Sequence, residues 1–130
     1  MKVLSKKNPY HISKHRHLEL KHFCLQYPEW KKEYKRLEGL VRTSSVIKVN
    51  SGVEDYVGDQ AARMAILSRR MELIEECAKR SDPYLGQFIF IAVTEGRSYT
   101  WLYMNMNIPC GKDLYYKIYR RFFWVLSEEA

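Results

Sequence analysis

Between Thr94 and Leu126 the chain reads TEGRSYTWLYMNMNIPCGKDLYYKIYRRFFWVL, and its apolar spacing leaves little freedom in what it can form. Tyr115, Ile118, Tyr119, Phe122, Val125 and Leu126 fall at offsets of 0, 3, 4, 7, 10 and 11, which is one face of an α-helix. Ahead of them Ser98 is placed to cap a shorter helix, SYTWLYMNMN, because its hydroxyl can accept from an unpaired first-turn amide. Asn107-Ile108-Pro109-Cys110-Gly111 then supplies the turn. Two helices about a tight turn, residues 98–127, are the outline of a helix-turn-helix.

The preceding residues also read as helical. Ser13 suits the cap of a helix from Lys14 to about Gln26, and Pro28 fits the first position of the next, where a missing N–H costs nothing. In that second helix Trp30, Tyr34 and Leu37 form a stripe, with Lys31, Lys32, Lys35 and Arg36 on the other faces, and Gly39 marks its end. The spacing thus predicts a basic helical hairpin within residues 1–39. Residues 40–58 have no helical period and contain Ser, Asn and Gly, so they read as a loop or linker, with Val46-Ile47-Lys48-Val49 able to extend as a short strand. From Asp59 a long central helix is expected, its apolar side drawn from Ala62, Ala65, Ile66, Met71, Ile74, Cys77 and Ala78. Asp82 and Pro83 stop it and start the next, Tyr84 to Val93, whose FIFIAV suits a strand or a buried helix and whose Asp-Pro start favours helix. The fold class that follows is all-α, with residues 59–130 forming a helical domain that ends in the helix-turn-helix.

Composition narrows the function classes. An apolar fraction of 46% is enough for a core, yet the run Phe88 to Val93 is far too short to span a bilayer and no apolar segment follows the basic N-terminus. No membrane association and a cytoplasmic location are therefore expected. Cys24, Cys77 and Cys110 are odd in number, lie far apart and form no Cys-x-x-Cys pair, which argues for reduced, packed thiols. The net charge of +7 is uneven: residues 1–50 hold twelve Lys and Arg against four Glu, residues 51–82 five against seven acidic groups, and residues 83–130 five against four. A basic N-terminal third favours a polyanionic partner.

Chemistry of other kinds is poorly supplied. His11, His15, His17 and His22 with Cys24 are the one set that suggests a metal, but no carboxylate or second Cys completes it. Glu72, Glu75 and Glu76 lie beside Arg69, Arg70, Lys79 and Arg80, where helical ion pairing accounts for them. No nucleophile elbow or phosphate-binding glycine loop occurs. Neither an enzyme nor a cofactor is expected. Trp101, Tyr103, Phe122, Phe123 and Trp124 could stack on single-stranded bases, although at helical spacing such residues more often form core.

In a helix-turn-helix the second helix enters the major groove and its early exposed residues meet base edges. Lys112, Tyr116, Lys117 and Arg120 occupy that position as candidates for base readout. Arg97, Ser98, Arg121, Lys31, Lys32, Lys35 and Arg36 are candidates for the DNA backbone. The same residues also fit an ordinary amphipathic helix with a solvated basic face.

Thr94, Gly96, Ser98, Tyr99, Ile108, Pro109, Tyr115, Tyr116, Arg120, Arg121, Phe122 and Phe123 together make a pattern that resembles the helix-turn-helix of sigma-factor region 4. It more closely resembles the version in phage late-gene transcriptional activators of the ArpU and RinA type. The N-terminal SKHRHLELKHFCLQYPEWKKEY is similar to the opening of short prophage proteins of Gram-positive bacteria. This resemblance implies a sequence-specific regulator of phage or mobile-element genes, bound to double-stranded DNA as a monomer or homodimer, with RNA polymerase as a further candidate partner. The chain departs from the sigma pattern in having Tyr99, Thr100, Trp101 and Leu102 where a small and an acidic residue are usual, and its turn is longer. Two alternatives stay open: a module that binds RNA polymerase or a phage protein, and a small DNA-packaging subunit.

Overall fold

The computed structural model describes residues 8–46 and 51–130, with the side chains of 44–46 and 51–57 outside the description. Among the described residues there are six helices and no strand: α1 (Lys14–Leu25), α2 (Tyr27–Val46), α3 (Ser51–Ser81), α4 (Gly86–Glu95), α5 (Tyr99–Met106) and α6 (Lys112–Glu129). They divide into two compact units, one holding residues to Gln26 and from Leu73, the other Tyr27–Glu72.

The second unit is an antiparallel pair of helices. Trp30, Tyr34, Leu37 and Val41 follow steps of four, three and four along α2, and Gln60, Met64, Leu67 and Met71 do so along α3, the spacing that suits a coiled-coil seam. Trp30, Leu37, Gln60 and Leu67 are buried. Arg63 lies 3.6 Å from Glu33, and the Arg70 guanidinium 5.7 Å from the Trp30 ring centre, which sets the opposite directions of the two helices.

The described part of the linker expected over 40–58 is instead helical. Helix α2 passes through Gly39 to Val46, because its seam continues to Val41 and because Glu38–Arg42 at 2.6 Å and Thr43 Oγ1 to Gly39 O at 2.9 Å bind one turn to the next. Helix α3 begins at Ser51, and residues 47–49 of the expected strand lie outside the described residues. Gly39 thus sits mid-helix with open space where a Cβ would be, so Gly39→Ala is expected to raise stability by about 0.5–1 kcal/mol in urea unfolding. The expected apolar side of α3 is also corrected: Ala62, Ala65 and Ile66 are exposed, and the seam runs through Gln60 and Leu67 instead.

In the first unit α4 is central, packing on α1, α5 and α6, while α1 also packs on α6. The basic hairpin expected over 1–39 is thus not one unit, since α1 buries His17, Leu20 and Cys24 in this core. Ser13 caps α1 as its sequence predicts, accepting from Arg16 N at 3.2 Å. The ambiguous Tyr84–Val93 is helical, though it starts at Gly86: the Asp82 carboxylate accepts from Tyr84 N at 2.9 Å and Leu85 N at 2.7 Å, holding a turn before the helix. Gly96, at φ 69°, closes α4, with Arg97 N bonding back to Ala92 O at 3.0 Å.

Candidate nucleic-acid interface

Helix α6 is held from behind by its apolar side, where Tyr115, Ile118, Phe122, Phe123, Val125 and Leu126 are buried. Its start is fixed by the turn before it. Ser98 accepts from Trp101 N at 3.1 Å to begin α5, Asn107 at φ 50° ends it, and Ile108 is buried. Tyr99 Oη then donates to Cys110 O at 2.7 Å, and its ring lies 5.2 Å from that of Tyr115, so one tyrosine ties α5, the turn and α6 together.

On this support Lys112 and Lys117 are exposed. Tyr116 and Arg120 are half-buried, the Tyr116 ring standing edge-on to Tyr115 at 5.0 Å and to Tyr119 at 6.2 Å. The four expected readout residues therefore share one helix, but with unequal reach. Burial pushes the Tyr119 hydroxyl up to about 12 and raises that of Tyr115 further, so both stay neutral.

The expected backbone contacts separate more sharply. Arg121 leaves the set: it donates to Ser81 O at 3.1 Å and lies 5.7 Å from the Tyr10 ring centre, so it anchors α6 to the end of α3. Arg97 is exposed, its guanidinium 4.2 Å above the Trp101 ring and 3.7 Å from Glu95, and Ser98 uses its hydroxyl as a cap. In the other unit Lys31, Lys32 and Lys35 are exposed on α2. Arg36 grips Glu33 through two bonds of 2.9 and 2.5 Å and holds that carboxyl below its usual range, so its charge is partly matched already.

Sequence reasoning missed one feature of this surface. From Ser98 to Gly111 no residue carries a formal charge, and within that run Tyr103 is 57% and Met104 73% exposed, with Leu114 also exposed nearby in sequence. The missing charges were the available signal. Of the residues considered for base stacking, Phe122 and Phe123 are fully buried, Trp101 and Trp124 half-buried, and Tyr103 alone is exposed.

The histidines do not act as a set. His17 is buried edge-on to Phe123 at 4.6 Å and its Nδ1 has no partner, whereas His15 and His22 are exposed. Among the described residues no three His, Cys, Asp or Glu side chains gather as a metal site would require. Burial pushes the Cys24 thiol up to about 12 and Cys77 to about 11, far from an activated nucleophile.

Burial, reinforced by nearby positive charge including Lys21, also lowers the His17 imidazole below its ordinary 6.5. The folded protein keeps His17 neutral while the unfolded chain takes up a proton below 6.5, so stability is full above that value and falls as pH drops through the lowered native one. The loss should approach at most about 1.4 kcal/mol per pH unit. Urea unfolding of wild type and His17→Leu at about pH 7.5 and 5.5 checks it: the variant should lose this part of the acid sensitivity.

Against known proteins, the chain matches no protein-family model, no curated sequence and no solved structure.

Proposed function

We propose that the chain is a sequence-specific DNA-binding regulator of phage or mobile-element transcription, with α5, the turn and α6 acting as a helix-turn-helix of the sigma region 4 kind. The observation that carries this reading is the outward pair Lys112 and Lys117 on the first turns of α6, beside Tyr116 and Arg120, on a helix whose other side is locked in core. Such a helix can be seated in a major groove with its core face still covered, and its side chains can donate to guanine edges or phosphates. Lys31, Lys32 and Lys35 on α2 add sequence-independent attraction.

The roles separate by experiment. With a site recovered from a random duplex pool, Lys117→Ala and Arg120→Ala should each reduce discrimination against mismatched sites by about 1–3 kcal/mol. Lys31→Ala with Lys32→Ala should weaken all duplexes alike and reduce the salt slope by about 2. Equal losses on every sequence from both sets would rule out α6 as the reader.

A second reading has its own observation. The uncharged, exposed Tyr103 and Met104 of α5 suit a protein groove better than a phosphate backbone, as in a module that docks on RNA polymerase or a phage protein. Absence of binding to random duplex at low salt would favour that reading over the first.

A further inference from the structure

The outer face of α3 carries a second seam, two positions round from the one that meets α2. Asp59, Ala62, Ile66 and Arg69 follow steps of three, four and three, and all four are exposed, with Ala65 exposed beside them. The outer face of a coiled-coil helix ordinarily carries charge. Here the middle of the seam has none, Ile66 is 53% exposed, and opposite charges stand at its two ends.

We propose that this face pairs with the same face of a second copy of the chain, the two α3 helices running antiparallel about a two-fold axis that crosses midway between Ala62 and Ile66. The order of the residues is what selects this occupant. Read in opposite directions, Asp-Ala-Ile-Arg lies against Arg-Ile-Ala-Asp, so Asp59 of each copy meets Arg69 of the other and Ile66 of each covers Ala62 of the other. Every contact occurs twice, as an isologous interface requires. A purely acidic partner would match Arg69 and oppose Asp59, and a purely basic one would do the reverse. The alanines let the helix axes approach to about 8 Å, the close end of helix packing, and Ile66 fills the space that each small side chain leaves. The seam spans few turns, so the dimer is weak and concentration-dependent, with a dissociation constant on the order of 1–100 μM. This pairing is independent of whether α6 reads DNA.

Sedimentation equilibrium of the full chain tests it. Wild type should shift from monomer to dimer with concentration, and Ile66→Glu should raise the dissociation constant by about tenfold or more. Asp59→Arg and Arg69→Asp should each do the same, since each places like charges opposite one another. The double variant Asp59→Arg/Arg69→Asp should recover wild-type pairing to within about threefold. An equimolar mixture of the two single variants should pair as well, because one presents only Arg and the other only Asp at the seam ends. All of these positions are exposed, and circular dichroism verifies that each variant is folded. The proposal is overturned by a wild type that stays monomeric to about 0.5 mM, which would leave the face to some other molecule. A dimer indifferent to Ile66→Glu, or charge swaps that fail to restore each other, would overturn it equally.

Discussion

Phe122→Ala is expected to destabilise the protein by about 3–5 kcal/mol, the largest loss among the single substitutions considered. Phe122 has no exposed surface, and it sits on the side of α6 that faces α1 and α4. Its ring meets Phe123 edge-on at 5.0 Å, and Phe123 is itself fully buried, so the neighbours have little freedom to close over the space left behind. The loss therefore combines the transfer of a phenyl ring with a residual cavity. Urea unfolding should show a lower midpoint with an unchanged slope. Tyr103→Ala, at a 57% exposed ring, should change stability by no more than about 0.5 kcal/mol. Comparable losses at the two positions would contradict this placement of the core.

The second large effect is expected at Gly86. A Cβ there would fall inside the contact distance of the Ala78 carbonyl, 2.9 Å from its carbon and 3.4 Å from Lys79 N. That carbonyl cannot swing aside freely, because it accepts from the buried Ser81 hydroxyl at 2.6 Å. The other side is also fixed, since Gly86 N donates to Asp82 O at 2.9 Å. Gly86→Ala must therefore move the start of α4 away from the end of α3 and is expected to cost about 2–3 kcal/mol by thermal or urea unfolding, although alanine is intrinsically the better helix former. A stabilising Gly86→Ala would mean that the two helices do not approach in this way. The opposite sign expected for Gly39→Ala makes the pair a test of packing against propensity.

How far the sequence led can be traced to particular residues. The buried side of α6 was legible because its apolar spacing is regular and one helix face points inward. Phe123 escaped that template because α6 is covered by both α1 and α4, which widens the buried arc beyond a single stripe. On α2 the seam from Trp30 to Val41 was present in the sequence, but Gly39 and the polar residues after it suggested an end that packing overrides. On α3, counting apolar residues drew in Ala62 and Ile66 and passed over Gln60, whose buried polar side chain holds a seam position. At the candidate interface, periodicity identified outward residues such as Lys112 and Lys117 but had no means of finding the Ser81 carbonyl that engages Arg121. Such partners, distant in sequence, are set by tertiary packing alone.

The division of the first unit between residues to Gln26 and from Leu73 bears on how the chain is made. Helix α1 emerges from the ribosome before α4 and α6, the elements that cover His17, Leu20 and Cys24. At roughly 5–20 residues per second, that apolar face waits several seconds for its partners. The α2–α3 pair, whose contacts are closer in sequence, can close during the same interval. Nascent chains stalled before α4 should therefore protect the α2–α3 segment from protease while leaving α1 open to chaperone capture.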